Sequence, residues 1–158
     1  MNPIPSDYPV ISPYLCIKGA AAAIDFYKQA FGATERTRMA APDGTVMHAE
    51  MMIGDGLFML ADEFPEMGFR SSQTLGGSPV TVHVYVADVD ALVAQAVAAG
   101  AKLARPVQNQ FYGDRTASLT DPFGHVWYFA TRVEDVAPDE MKRRSEAMMQ
   151  QPPAAAPQ

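Results

Sequence analysis

Cysteine is almost absent from this sequence, since Cys16 is the only one among 158 residues. A single thiol cannot form an intrachain disulfide, which excludes the class of small secreted domains that disulfides stabilise. The segment from Met1 to Tyr8 has neither the basic region nor the apolar core of a secretory signal peptide. We therefore expect a protein of the reducing cytoplasm, in which Cys16 is a small buried hydrophobic residue rather than a nucleophile.

Long apolar runs, basic stretches and nucleotide-binding motifs are missing as well. No apolar run approaches the ~20 residues that a membrane-spanning helix needs, so we expect no membrane partner. The net charge is -6, and the part that we expect to fold has no basic stretch, which argues against nucleic acid as a partner. The glycine-rich dinucleotide motif and the P-loop are also missing, and we expect no cofactor.

The sequence does contain an internal repeat, in which corresponding segments lie 69 residues apart. Each half opens with a strand-like run of alternating apolar residues, and a segment with helical spacing follows it and ends at a glycine. The strand-like runs are 10–17 and 79–86, the helical segments are 20–31 and 89–99, and the glycines are Gly32 and Gly100. Each half therefore begins as a strand followed by a helix.

Three further strand candidates follow each helix. They are 34–41, 45–53 and 56–61 in the first half, and 102–110, 115–121 and 125–130 in the second half. This order predicts an α+β fold of two tandem βαβββ modules.

The domain organisation follows from the same pattern. We expect a single domain over 1–135, with modules at about 8–62 and 79–133 and a loop-like linker at 63–78. Over 136–158 we expect a short polar helix, which Pro138 would begin, and then a disordered tail rich in proline and alanine.

Three short motifs carry a family resemblance. They are 23–27 (AIDFY), 86–90 (VADVD) and 121–125 (DPFGH). In this order the chain resembles the vicinal-oxygen-chelate superfamily, which includes glyoxalases, bleomycin-resistance proteins and ring-cleaving dioxygenases. The string at 113–115 (GDR) followed by 121–127 is similar to the PhnB-like branch, which is also labelled 3-demethylubiquinone methyltransferase-like. No S-adenosylmethionine-binding pattern accompanies it.

The resemblance implies two half-barrels that face each other across a cleft, a divalent metal in that cleft, and a homodimer. By register, the four metal-ligand positions of the family fall on Ser12, Met59, Thr81 and Tyr128. Metal-bearing relatives have His, Gln or Glu there. A thioether, a phenol and two alcohols bind a divalent ion poorly, so we expect no metal at these positions.

Other ionisable residues could form a displaced site. His48 and Glu50 are two residues apart on a predicted strand and so share a face, and His83 lies on the first strand of the second module. These three residues could form a His-His-Glu metal site or a hydrogen-bonded polar cluster on the cavity wall. His125 follows a turn, and we expect it to be partly exposed.

We expect the site to combine aromatic walls with a few orienting polar groups, as small-molecule pockets do. The candidate ligand-binding residues are Tyr14, His48, Glu50, His83, Tyr85, Arg115 at the rim, and Tyr128. Three functions remain open. They are a metal-free binder of a small organic molecule, a metal-dependent lyase, isomerase or dioxygenase, and a metal-free acid–base enzyme that uses His83 with Glu50 or His48.

Overall fold

The computed structural model describes residues 3–150, and this part of the chain forms two four-stranded sheets and four α-helices. The strands are β1 (Tyr14–Ile17), β2 (Thr34–Ala40), β3 (Val46–Ile53), β4 (Gly56–Asp62), β5 (Thr81–Tyr85), β6 (Lys102–Asn109), β7 (Asp114–Thr120) and β8 (Val126–Arg132). The helices are α1 (Ala20–Phe31), α2 (Ser72–Leu75), α3 (Val89–Ala99) and α4 (Pro138–Met149). Within residues 3–150, none of these helices has the length and apolar character that a membrane crossing requires.

The two sheets have the same topology, with strand orders β1-β4-β3-β2 and β5-β8-β7-β6. In each sheet the first strand pairs in parallel with the last, and the other pairs are antiparallel. A parallel pair requires a crossover connection, and α1 and α3 belong to these crossovers. The prediction of two tandem βαβββ modules is therefore confirmed. The predicted tail at 151–158 lies outside the described residues.

The linker between the modules, which we expected to be loop-like, contains two short helical segments. It contains a 3-10 turn at Pro65–Met67 and the one-turn helix α2. The Ser71 hydroxyl accepts a hydrogen bond from the backbone N–H of Thr74 at 3.2 Å and so caps α2. The Glu63 carboxylate accepts bonds from the Ser71 backbone N–H and the Thr74 hydroxyl, which fixes the start of α2 against the end of the first module.

The core lies between the sheets and the helices and is shared by both modules. Strand residues alternate, so one face of each sheet packs against its helix. Where the modules meet, the Phe31 ring of α1 lies with its centroid 4.9 Å from those of Trp127 and Phe129 in β8. Burying an aromatic side chain of this size stabilises the fold by about 1.5–3 kcal/mol, so this contact holds the modules together.

Asp121 reinforces the junction. Its carboxylate accepts hydrogen bonds from the Tyr27 hydroxyl of α1 at 2.7 Å and from the Trp127 indole N–H at 2.9 Å. It also accepts the backbone N–H groups of Phe123 and His125, each at 2.9 Å. Burial and the neighbouring Asp121 charge raise the pKa of Tyr27 well above its ordinary value. The motif at 121–125 is therefore explained by packing between the modules.

Candidate functional site

Each sheet has one face covered by its helix and one face that points away from it. We call the uncovered sides the first open face, on β1, β3 and β4, and the second open face, on β5, β7 and β8. Strand pairing sets Tyr14 beside Met59 and Met59 beside Glu50 on the first open face. It sets His83 beside Tyr128 on the second. Alternation along the strands thus turns the candidate polar side chains away from the cores.

A buried carboxylate is the centre of the first open face. Glu50 is only 4% exposed, and its Oε1 accepts a hydrogen bond from the Tyr8 hydroxyl at 2.8 Å and lies 3.2 Å from His48 Nε2. Its Oε2 has no hydrogen-bond partner within residues 3–150. The Arg36 Nε lies 3.5 Å from this Oε2 as an ion pair. Within residues 3–150, Glu50 Oε2 is therefore an acceptor that has an ion pair with Arg36 but no hydrogen bond.

The same network sets the charge of Glu50 and the orientation of His48. Burial raises the pKa of the Glu50 carboxyl, but the hydrogen bonds from Tyr8 and His48 and the charge of Arg36 lower it by more, so its pKa lies below the ordinary 4.5. A carboxylate can only accept, so His48 Nε2 carries the proton that it donates. In the neutral imidazole, Nδ1 then accepts from the Tyr14 hydroxyl, which is 2.8 Å away.

The second open face contains another buried carboxylate among tyrosines. Asp114 is 3% exposed, and its Oδ2 accepts a hydrogen bond from the Tyr85 hydroxyl at 2.6 Å. This bond is the largest of the causes that raise the pKa of Tyr85. The other oxygen, Oδ1, has no hydrogen-bond partner in the described part of the chain. The Nε of Arg132, whose side chain is mostly exposed, lies 3.9 Å from it.

A chain of hydroxyl groups continues from this cluster. The Tyr128 hydroxyl donates to Thr116 Oγ1 at 3.0 Å and lies 3.0 Å from the Tyr112 hydroxyl. Burial is the largest of the causes that raise the pKa of Tyr112. The His83 ring lies with its centroid 5.0 Å from Tyr85 and 5.2 Å from Tyr128. This face therefore combines aromatic surface with fixed polar groups.

The structure brings the predicted site residues together in two groups. Tyr14, His48 and Glu50 meet on the first open face, whereas His83, Tyr85 and Tyr128 meet on the second. His83 does not join His48 and Glu50, and residues 3–150 contain no cluster of three His, Cys, Asp or Glu side chains that could hold a metal ion. A displaced His-His-Glu site is thus not formed within one chain.

The usual metal positions of the family do not fit a divalent ion either. Thr81 pairs with Val126, and the neighbour of Tyr128 is His83. In the first module, Met59 has Tyr14 beside it. Thioether and phenol groups are poor ligands for the metals that use such sites, so the donor set of this chain does not match the group that the fold implies.

Arg115 lies apart from the other candidate residues. We expected it at the rim, but its Nε and Nη2 donate to the Asp90 carboxylate of α3 at 2.6 and 2.7 Å, and its Nη1 donates to Asn109. Arg115 occupies the strand position between Asp114 and Thr116, so its side chain lies on the helix side of β7. The structure therefore places Arg115 outside both open faces.

The expectation that His125 is a partly exposed turn residue is wrong. Its side chain is 7% exposed, and its Nε2 lies 3.2 Å from the Cys16 carbonyl oxygen. The turn that carries it packs against β1 and α2, where Ser72 Oγ is 3.4 Å from Nδ1.

Cys16 itself is half-buried, and burial together with the charges of Glu63 and Asp62 raises the pKa of its thiol to about 11. A thiol this weakly acidic is a poor nucleophile.

Sequence patterns missed several members of the two clusters. On the first open face these are Tyr8, which precedes the first strand, and Arg36, which lies where the β2–β3 pairing shifts register. On the second they are Tyr112, Asp114 and Thr116. Asp114 is part of the 113–115 string, and that string was the one sequence signal that could have pointed to this residue. Tyr8 and Glu50 are 42 positions apart in the sequence. Local periodicity relates only residues that are a few positions apart, so it could not predict their hydrogen bond.

Comparison with known proteins settles the family. The family model of the Glyoxalase/Bleomycin resistance protein/Dioxygenase superfamily matches residues 10–129. The chain belongs to this superfamily. An uncharacterized protein of Mycobacterium tuberculosis (strain H37Rv) is 43% identical over 137 residues, which cover 85% of this chain and 81% of the relative.

Two solved structures share the fold. The crystal structure of TioX from Micromonospora sp. ML1 is 27% identical, with a TM-score of 0.63 over 82% of this chain and 100% of TioX. A PhnB protein from Bacillus cereus is 17% identical, with a TM-score of 0.60 over 78% of this chain and 99% of that protein. At this identity the second comparison supports the fold alone.

Proposed function

We propose that this superfamily member binds a small organic molecule through its two open faces, without a metal at the usual family positions. The observation that carries the proposal is Glu50, a buried carboxylate whose Oε2 has no hydrogen-bond partner within residues 3–150. A buried acceptor without a hydrogen bond costs up to about 1–3 kcal/mol, and the Arg36 charge at 3.5 Å offsets a part of this cost. A ligand N–H or O–H that donates to Oε2 recovers this free energy, while Tyr14 supplies aromatic surface beside it.

We also propose that the protein works as a homodimer. Several large apolar side chains are exposed, and Val10 and Ile11 are each 85% exposed. The strands β2 and β6 each form one of the two edges of their sheet and have mostly exposed residues. A second copy packed on these surfaces would cover them.

We further propose that the protein is cytoplasmic, because it has a single cysteine. We assign it to the PhnB-like branch because of the strings at 113–115 and 121–127.

Acid–base catalysis is the second candidate function. The imidazole of His48 lies between the Glu50 carboxylate at 3.2 Å and the Tyr14 hydroxyl at 2.8 Å. A carboxylate that orients an imidazole is a common arrangement for a general base. A metal-dependent lyase, isomerase or dioxygenase has less support, because the donor set at the family positions does not fit a divalent ion.

The test of the proposal is ligand recovery followed by a matched pair of variants. The protein is purified without chelators and denatured, the released small molecule is identified by mass spectrometry, and the molecule is then titrated back onto stripped protein. Glu50→Gln should weaken its binding about tenfold, because a charged acceptor is lost. Glu66→Gln should bind like the wild type, since Glu66 is exposed in the 3-10 turn and has no partner within residues 3–150. Equal affinities for Glu50→Gln and wild type would contradict the proposal.

A further inference from the structure

A groove with a volume of about 520 Å³ lies where the two modules meet. Its walls are the first strands of both modules, represented by Leu15 and Val82, and the linker, represented by Arg70 and Leu75. Its volume is within the ~300–1,000 Å³ that is typical of small-molecule sites. The groove opens at the edges of β1 and β5, and neither of these edges has a neighbouring strand in the described part of the chain.

The groove wall has a positive charge and no negative one, in a protein that is acidic as a whole. Its lining includes one guanidinium and two imidazoles, from Arg70, His83 and His125, and the described residues that line it include no Asp or Glu. The net charge of the chain is -6. A wall that has a guanidinium and no carboxylates therefore gives this groove a local preference for anions.

Arg70 is the cation best placed to hold an anion. Six other arginines each form an ion pair with a carboxylate, namely Arg36, Arg38, Arg115, Arg132, Arg143 and Arg144. Within residues 3–150 Arg70 has neither an ion pair nor a hydrogen bond, and it is exposed on the groove wall. The planar guanidinium matches the two oxygens of a carboxylate. Arg105 is the other arginine in this range without a partner, and it lies on β6, away from the groove.

We propose that this groove binds a small organic acid, with its carboxylate on Arg70 and its apolar body against Leu15, Leu75 and Val82. Leu75 is largely exposed, so an apolar body bound against it would remove it from water. Thr81 lines the same wall and has a hydroxyl that can donate a further hydrogen bond. The groove shares Tyr14 and His83 with the two open faces, but the inference goes beyond the proposed function, because Arg70 is in the linker and belongs to neither face.

Titration of the full chain with 2-naphthoate tests the site. Nuclear magnetic resonance should show shifts confined to groove residues, including Leu15 and Leu75. The neutral isostere 2-naphthamide should bind about tenfold or more weakly, because it lacks the charge that strengthens hydrogen bonds to a guanidinium. Acetate should compete poorly, since it has no apolar body. If 2-naphthoate does not bind, if it binds no better than the amide, or if the shifts lie elsewhere, the proposal is overturned.

Two arginine variants identify the anchor. Arg70→Gln should reduce the affinity for 2-naphthoate to that for 2-naphthamide and leave the binding of the amide unchanged, whereas Arg105→Gln should bind 2-naphthoate like the wild type. An unchanged affinity in Arg70→Gln, or an equal loss in both variants, would overturn the proposal. Because Arg70 has no partner within residues 3–150, both variants should unfold at the wild-type temperature. The readouts of this test are Arg70 and the difference between the acid and the amide, so its outcome is independent of the Glu50→Gln test of the proposed function.

Discussion

The Glu50 side chain illustrates how a single buried charge depends on its neighbours. Burial alone favours the neutral acid, yet Tyr8, His48 and Arg36 together favour the carboxylate. The sequence indicated that Glu50 and His48 share a face, because they are two residues apart on a strand. It did not indicate Tyr8 or Arg36, because their approach to Glu50 depends on how the first residues cross the sheet. Whether the predicted residues bind a ligand stays a prediction.

Replacement of Glu50 by Gln should destabilise the protein in a pH-dependent way. Near pH 7 we expect the free energy of unfolding to fall by about 1–3 kcal/mol, the usual effect of removing a charged hydrogen-bond acceptor. Because the pKa of folded Glu50 lies below the ordinary 4.5, its stabilising effect is complete above that ordinary value. This effect is lost as the pH falls through the lowered pKa of the folded state.

Urea unfolding of the wild type and Glu50→Gln over a series of pH values measures this effect. The difference in unfolding free energy should shrink as the solution becomes more acidic than the ordinary pKa of glutamate. Glu66→Gln, which changes an exposed glutamate, should follow the wild type throughout. A difference between wild type and Glu50→Gln that stays constant with pH would show that the carboxylate charge is not what stabilises this cluster.

At the scale of secondary structure, the order of strands and helices was predictable because alternation and helical stripes are local signals. Helix α2 was not predicted, since it is one turn long and its start is held by the side chain of Glu63, which comes directly after β4. The exposure of His125 was predicted wrongly for a related reason. The turn that carries it would be exposed in an isolated module, and it is buried here by β1 and α2 of the assembled chain.

The loop between β6 and β7 depends on a glycine at position 113. Gly113 has φ +96°, and a Cβ added there would overlap the carbonyl oxygen of Glu134 and contact Val136. Gly113→Ala should therefore cost the left-handed penalty of about 1–2 kcal/mol and, in addition, the free energy of displacing the backbone after β8.

Gly44→Ala is the control for this loop. Gly44 has φ +89° in the turn between β2 and β3, and a Cβ added there meets nothing within 4 Å. It should cost the left-handed penalty alone. Thermal or urea unfolding of both variants compares them, and a Gly113→Ala variant no less stable than Gly44→Ala would contradict the close approach of Glu134.

At the scale of the whole molecule, the two modules are joined by an aromatic core and by Asp121. The Tyr27 hydroxyl of the first module and the Trp127 indole of the second donate to the same carboxylate oxygen. This junction fixes both open faces relative to each other and creates the groove beside Arg70. The repeat in the sequence predicted the modules, but it could not predict the junction, because Tyr27 and Asp121 are 94 positions apart.

The central claim is that the chain recognises an organic molecule with its own side chains and not through a metal at the family positions. Native mass spectrometry of protein purified without chelators tests this claim most directly, because one spectrum reports the oligomeric state, bound organic molecules and bound metal. We expect a dimer whose excess mass corresponds to a small organic molecule. A dimer that carries stoichiometric zinc, nickel, iron or manganese would contradict the account.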